Sequence, residues 1–161
     1  MNCLVRPIGA AVLLALAMAG CAPAPARSPD AANADAPTAA TIPLTIHSAK
    51  GPVAWRVEVA RTTAEQAKGL MYRTSLPDHG GMIFPMAPPR MASFWMKNTY
   101  IPLDMLFIRN DGTIARIAAN TVPEDLTPVD SGEPVAAVLE IAGGAAAANG
   151  IAEGDRVEWS K

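Results

Sequence analysis

The chain has 161 residues, room for one domain of ordinary size, and half of its residues are apolar. Its formal net charge is −2 and it contains no cluster of Lys or Arg, which argues against a nucleic-acid partner. The two cysteines, Cys3 and Cys21, lie in the leader region, so we expect a folded part without disulfide, thiolate nucleophile or cysteine metal ligand.

The first twenty residues are typical of a secretory signal. Arg6 supplies a positive start, and the apolar run from Ile8 to Ala19 is shorter than the roughly 20 residues with which a helix crosses a bilayer. Met18-Ala19-Gly20-Cys21 resembles the lipobox of bacterial lipoproteins, in which the leader is cut before a cysteine that is then acylated. We predict a lipoprotein signal peptide over residues 1–20 and lipidation of Cys21. The alternative is an ordinary signal peptide with an incidental cysteine.

The segment after the cysteine is rich in Ala and Pro and has no large apolar side chain. Such a segment cannot bury enough surface to offset the entropy of ordering it. We therefore predict that residues 21–41 are a lipidated tether that holds a periplasmic domain away from the membrane. Because Ala22 follows the cysteine instead of Asp, analogy with enterobacterial sorting favours the outer membrane over the inner one.

The folded part begins with two alternating segments. Residues 41–47 and 53–60 alternate apolar and polar side chains, as strands with one wet face do, and Lys50-Gly51-Pro52 between them predicts a hairpin. Thr62 and Glu65 have the spacing of a capping box, which predicts a short helix ending near Gly69.

The rest of the chain is expected to be mostly strands and loops. We predict a loop-rich region over 70–90 and a loop over 121–134, because Gly, Pro and polar residues dominate there. The predicted strands are 91–99, 101–109, 113–122, 135–142 and 156–160, with Asn110-Asp111-Gly112 as a hairpin turn. The prediction for residues 42–161 is a single mainly β domain, a small β-sandwich or partly open barrel of about seven short strands with one or two short helices.

Six short motifs follow one another between Thr41 and Ser160: Gly69-Leu70-Met71-x-Arg73, Gly81-Met82-x-Phe84, Phe94-Trp95-Met96-Lys97-Asn98-Thr99-x-Ile101-Pro102-Leu103-Asp104, Asp111-Gly112-x-Ile114, Val138-Leu139-Glu140-Ile141-x-Gly143-Gly144 and Gly150-Ile151-x-x-Gly154-Asp155. In this order they resemble the family known as domain of unknown function 192. The resemblance implies a small β-rich single-domain fold. It implies no particular activity, substrate or cofactor.

Polar residues interrupt the apolar stretch from Ser93 to Ile108. Lys97, Asn98 and Asp104 lie within it, and polar groups buried without partners cost roughly 1–3 kcal/mol each. In a structural interpretation, Lys97 and Asp104 form an ion pair, or Asp104 caps backbone amides where Pro102 disrupts the strand. In a functional interpretation, the same groups face a ligand.

The functional interpretation adds two more charged residues. Arg73 follows the predicted helix in a loop, and Glu140 interrupts an otherwise apolar strand. Together with Lys97, Asn98 and Asp104 they would meet near Trp95 and form one charged pocket for a small polar or anionic ligand, with Arg73 and Lys97 as hydrogen-bond donors. The candidate ligand-binding residues are therefore Arg73, Trp95, Lys97, Asn98, Asp104 and Glu140.

Two other functions stay open at this stage. Asp104 or Glu140 could serve as the general base of a hydrolase-like enzyme, although no Ser-His-Asp set and no phosphate-cradling glycine loop is found. Soft sulfur ligands select Cu(I), so a Met-rich periplasmic copper protein is conceivable, whereas Met also fills irregular cores. The methionines in question are Met71, Met82, Met86, Met91, Met96 and Met105.

We predict a binding or interaction module and not an enzyme, with no catalytic residues, no cofactor and no metal site. Its expected partners are the membrane, through the lipid anchor, and a small ligand or an envelope protein. Nucleic acid is not expected as a partner, and the protein should be a monomer.

Overall fold

The computed structural model describes residues 40–160, so the predicted signal peptide, Cys21 and most of the tether lie outside the described residues. Among residues 40–160, no helix combines the length and the apolar character needed to span a membrane. The elements in chain order are β1 Thr41–Ser48, β2 Gly51–Val59, α1 Thr63–Lys68, β3 Gly80–Phe94, β4 Leu103–Ile108, β5 Ile114–Thr121, β6 Val129–Ala142, α2 Ala145–Ala148 and β7 Arg156–Trp159.

The seven strands form one sheet in the order β5-β4-β6-β3-β2-β1-β7. All neighbouring pairs are antiparallel except β2 and β3, which are parallel. The two edges meet at one end, where the Ile114 N–H donates to the Asp155 carbonyl at 2.9 Å and the Val157 N–H donates to the Gly112 carbonyl at 2.8 Å. The sheet thus curls into a half-barrel. The predicted mainly β fold, a partly open barrel with seven strands and two short helices, is confirmed.

Both faces of the sheet carry apolar side chains. Because side chains alternate along a strand, β6 places Leu139 and Ile141 on one face and Val138 and Glu140 on the other. The first face belongs to a core that includes Leu44, Ile46, Trp55, Val57, Ile83, Leu106, Ile108 and Ile114. The second face belongs to a core that includes Leu70, Met82, Phe84, Met86, Met96, Leu103, Met105 and Phe107.

The local signals at the start of the domain are confirmed. β1 and β2 form the predicted antiparallel hairpin. The Thr62 hydroxyl accepts from the Glu65 N–H at 3.2 Å, and the Glu65 carboxylate accepts from the Thr62 N–H at 2.8 Å, which is the predicted capping box. Gly69 ends α1 with a φ of +46°, a left-handed backbone that favours glycine.

The middle of the chain differs from its prediction. Where a loop over 70–90 and a strand over 91–99 were expected, β3 runs from Gly80 to Phe94 and residues 95–99 form a loop. The strand pairs with β6 on both sides of an irregular stretch, since the register shifts between Pro85 and Arg90. The expected loop over 121–134 is also too long, because β6 begins at Val129.

Candidate functional site

Asp104 is fully buried, and its carboxylate accepts three backbone hydrogen bonds. One oxygen accepts from the N–H groups of Asn120 at 2.8 Å and Gly144 at 3.0 Å, and the other accepts from Ala146 at 2.9 Å. Gly144 and Ala146 lie at the start of α2, so Asp104 satisfies amides that a helix start leaves unpaired. The predicted ion pair with Lys97 is therefore wrong, and the alternative prediction, capping of backbone amides, describes this residue.

Asp104 and Glu140 lie on opposite faces of the sheet. The β4–β6 register pairs Asp104 with Ile141 and Met105 with Glu140. Paired residues on neighbouring strands share a face, and successive residues alternate between faces. The prediction that both carboxyl groups belong to one cluster is wrong, because the sheet itself separates them.

Lys97 and Asn98 lie in the loop that follows β3. The Lys97 ammonium is exposed and lies 5.2 Å from the centre of the Trp95 ring. Asn98 has a φ of +54°, which Asn tolerates better than most residues. Its side-chain amide donates to the Tyr72 hydroxyl at 2.9 Å, and its carbonyl accepts from the Tyr72 N–H at 2.8 Å. Asn98 thus shapes the loop, and Lys97 packs on its surface.

Arg73 is already paired. Its two terminal nitrogens donate to the two carboxylate oxygens of Glu58 at 2.6 and 2.7 Å. The side chains of Arg73 and Glu58 are 31% and 17% exposed, so water covers only part of this bidentate pair. A ligand that used Arg73 as a donor would have to share it with Glu58.

Glu140 is buried without a partner. Its residue is 4% exposed, between Met82 on β3 and Met105 on β4, and its carboxyl group has no hydrogen bond or ion pair among residues 40–160. Burial alone raises the pKa of Glu140 from 4.5 to about 8. The other buried polar residues of the described chain, Thr99, Asp104 and Ser131, all form side-chain hydrogen bonds.

Glu140 lines a pocket of about 450 Å³ that is open to solvent. The pocket, called the Glu140 pocket below, lies between α1, the turn after it, and β3. Of the six predicted ligand-binding residues, only Glu140 and Trp95 line it. Its aromatic and thioether walls come from Met71, Phe84, Met86, Met91, Phe94 and Trp95, and its polar lining includes Thr63, Gln66, Lys68, Arg90, Ser93 and Thr99.

Sequence reasoning missed the α1 side of this pocket. Gln66 joins the helix to the sheet, since its amide donates to the carbonyls of Ala60 at 3.2 Å and Pro85 at 3.1 Å. Lys68 and Arg90 are exposed at the mouth. Met71 and Phe84 belong to the family motifs, and this was the only sequence signal for these lining residues. No local pattern in the sequence indicates that α1 packs over β3.

Exposed apolar side chains lie in the lining of the Glu140 pocket and on segments that adjoin lining residues in the chain or are hydrogen-bonded to the loop after β3. The rings of Tyr72 and Tyr100 lie edge to face at 6.1 Å. The loop after β3 is fixed to the 122–126 loop, since the Met96 N–H donates to the Asp125 carbonyl at 2.9 Å. The exposed large hydrophobic side chains of residues 40–160 are Tyr72, Met91, Trp95, Tyr100, Val122 and Leu126, and of these Met91 and Trp95 line the Glu140 pocket. Exposed apolar surface of this kind is typical of binding sites.

A second pocket of about 440 Å³ lies beside the rings of Trp55 and His79, which are 5.0 Å apart. Its ionisable residues, Arg56, Asp78 and His79, are all exposed. Because it lacks a buried ionisable group, it is a weaker candidate than the Glu140 pocket.

Comparisons with known proteins agree with this fold. The family model DUF192, described as "Uncharacterized ACR", matches residues 45–159. A search of curated proteins finds no match. A crystal structure of a protein of unknown function from Novosphingobium aromaticivorans DSM 12444 is 55% identical with a TM-score of 0.72, covering 74% of this chain and 85% of that chain. A "putative transcription regulator" from Sinorhizobium meliloti 1021 is 41% identical with a TM-score of 0.73, covering 77% of this chain and 97% of that chain. The chain therefore belongs to the DUF192 family, as the order of its motifs predicted.

Proposed function

We propose that this protein is a lipid-anchored module of the cell envelope that binds a small ligand in the Glu140 pocket. One observation carries the proposal: Glu140, a residue that is 4% exposed, lines a pocket of about 450 Å³, and its carboxyl group has no partner among residues 40–160. Buried polar groups without partners are rare because they lower stability, and they cluster where a ligand supplies the missing interaction. The aromatic and thioether walls provide the apolar contact that small-molecule sites require.

Binding is favoured over catalysis by the lining of the pocket. Its ionisable groups among the described residues are Lys68, Arg90 and Glu140. No second acid and no histidine within residues 40–160 lines the pocket beside Glu140 to form an acid–base pair with it. Asp104, the other predicted base, already accepts three backbone hydrogen bonds on the opposite face of the sheet.

The methionines divide into two groups. Met82, Met96 and Met105 are buried in the second core, where they fill space between strands. Met71, Met86 and Met91 line the Glu140 pocket, and Met86 also belongs to the second core. The copper alternative therefore retains three thioethers, and a Cu(I) titration of the wild-type protein and of a Met86→Leu variant tests it directly.

The name of the Sinorhizobium meliloti relative does not lead us to propose nucleic-acid binding here. This chain has a net charge of −2, and its 13 basic residues are spread along the sequence. Binding to a polyanion relies on clustered positive charge, which releases counterions from the phosphates.

The ligand-binding proposal is tested with the full-length protein in lipid nanodiscs. A fragment library is screened by ligand-observed NMR, with empty nanodiscs as the blank. Ala67 is exposed on α1 and lines the pocket, whereas Ala64 is exposed on the same helix outside the lining, so Ala67→Phe blocks the pocket and Ala64→Phe is the matched control. Hits that are lost in Ala67→Phe and kept in Ala64→Phe support the proposal, and a library without such hits refutes it.

The membrane anchor is proposed from the sequence around Cys21 and is tested separately. Metabolic labelling with a radioactive fatty acid should label the wild-type protein and leave a Cys21→Ser variant unlabelled. Fractionation of the envelope should then recover the wild-type protein with the outer membrane. Absence of label from the wild-type protein would leave only an ordinary signal peptide.

A further inference from the structure

The surroundings of Glu140 define what a ligand must supply. Glu140 is paired with Met82 on one neighbouring strand and with Met105 on the other, and both methionines are buried. A carboxylate is expensive to bury in such apolar surroundings unless a positive charge or hydrogen-bond donors accompany it. The protein contributes no such partner among its described residues.

The nearby cations of the protein are placed elsewhere. Lys68 on α1 and Arg90 on β3 line the pocket but are exposed, and neither forms an ion pair with Glu140. Arg73 is held by Glu58 in a bidentate pair, and Lys97 lies over the exposed ring of Trp95. The space in front of Glu140 is therefore open to a cation that comes from outside the protein.

The walls of the pocket suit an organic cation. Phe84, Phe94 and Trp95 supply aromatic rings, whose faces attract ammonium groups within about 6 Å of the ring centre. Trp95 already holds the Lys97 ammonium at 5.2 Å, which shows that its ring can pack against a cation. A hard inorganic cation such as Ca²⁺ or Mg²⁺ would instead seek several oxygen ligands, and Glu140 is the only carboxylate of the described residues in the lining.

We propose that the ligand of the Glu140 pocket is a small organic cation, in which a protonated amine or quaternary ammonium group pairs with Glu140 and an apolar body packs against the aromatic walls. This inference rests on the proposed function, since it names the chemical class of the ligand for the same pocket. Either kind of ammonium supplies the positive charge, and a protonated amine also donates a hydrogen bond.

Binding of such a ligand is coupled to a proton. In the empty pocket the pKa of Glu140 is about 8, so at neutral pH the group holds its proton. Because an ammonium group favours the ionised carboxylate, binding should release up to about one proton, and affinity should rise as the pH rises toward that pKa. The other charged groups that line the pocket are Lys68 and Arg90, and the strand neighbours Met82 and Met105 carry no ionisable group.

The test compares probes that share one apolar body and carry a cationic, a neutral or an anionic head group. Triplets of an amine, an alcohol and a carboxylic acid are built on phenylethyl, naphthylethyl and cyclohexylethyl bodies, and their affinities for the full-length protein in nanodiscs are measured by calorimetry. We expect an amine to bind at least about tenfold more tightly than its alcohol and acid, and to release protons when buffers of different ionisation enthalpy are compared. Glu140→Gln should abolish this preference, whereas Glu124→Gln, at an exposed position, should keep it.

The outcomes separate the two proposals. If alcohols or acids bind as tightly as amines, or if the preference for amines survives in Glu140→Gln, the cation proposal is overturned while the binding pocket remains. If no probe and no library fragment binds through the pocket, both proposals are overturned. Should Glu140→Gln fail to fold, the preference for amines is measured in Glu140→Met, whose side chain matches its strand neighbours Met82 and Met105, and survival of the preference there likewise overturns the proposal.

Discussion

The buried acid makes a specific prediction about stability and pH. The native pKa of Glu140, about 8, lies above its ordinary value of 4.5, so between these two values the native state holds a proton that the unfolded chain has released. The stabilisation linked to this proton is fully present below pH 4.5 and is lost as the pH rises through about 8. At about 1.4 kcal/mol per pH unit over this interval, the loss amounts to roughly 5 kcal/mol at most.

The measurement is urea denaturation at a series of pH values between 5 and 9, on the wild-type protein and on Glu140→Gln. Glutamine has nearly the same shape and does not titrate, so subtracting the two curves removes the contribution of every other group. The variant should become more stable relative to wild type as the pH rises, with a slope of about 1.4 kcal/mol per pH unit that flattens near pH 8. Glu124→Gln is the control and should run parallel to wild type. If the Glu140→Gln curve also runs parallel, Glu140 is solvated, and both the buried acid and its role in the pocket must be abandoned.

The remaining predictions concern the residues around the site. Asp104→Ala should lower the free energy of unfolding by about 2–4 kcal/mol in urea denaturation, because it leaves three backbone amides without their acceptor, one buried and two at partly buried hydrogen bonds. A double-mutant cycle of Lys97→Met with Asp104→Asn should give a coupling energy within about 0.5 kcal/mol of zero; a value above about 1 kcal/mol would restore the ion pair. Arg73→Met should cost about 1–2 kcal/mol, with little further loss when Glu58→Gln is added. Gly81→Ala should cost about 3 kcal/mol or more and lower the Tm measured by circular dichroism, because the new Cβ would lie 2.3 Å from a carbonyl oxygen of β6; an unchanged Tm would contradict this.

Local signals predicted the parts of the fold that local interactions determine. The capping box of α1, the β1–β2 hairpin and the Asn110-Asp111-Gly112 turn all depend on residues a few positions apart. β3 was missed because its prolines resemble strand breakers, whereas the strand accommodates them where its register with β6 shifts between Pro85 and Arg90. That pairing joins segments about fifty residues apart, and no local pattern specifies it.

The candidate site was predicted only in part, again because local patterns do not specify which strands pair or in which register. Glu140 was selected because a carboxyl group is unusual in an apolar strand, and this criterion needs no knowledge of register; Trp95 was named as the residue beside which the cluster was expected. Grouping them with Asp104 failed because an offset of one residue in the pairing of β4 with β6 decides which face each side chain occupies. Arg73 and Asn98 were misassigned because their partners, Glu58 and Tyr72, lie in segments that only the fold brings near.

The sheet thus contains two buried carboxyl groups, and the free-energy cost of burying each one is offset in a different way. Asp104 is satisfied by three backbone amides, so its position is explained by the structure alone, and a ligand would have to displace those bonds to reach it. Glu140 has no such explanation, because a leucine or methionine there would fill the space between Met82 and Met105 without the energetic cost of a buried carboxyl group. A residue such as Glu140 lowers the stability of the empty protein at neutral and higher pH. It can be retained if a bound ligand supplies the charge or hydrogen-bond partner that its carboxyl group lacks in the empty protein. The Glu140 pocket has room for such a ligand, because its walls are aromatic and no cation from the described chain pairs with Glu140. Asp104, on the opposite face of the sheet, needs no ligand because its carboxylate is already hydrogen-bonded.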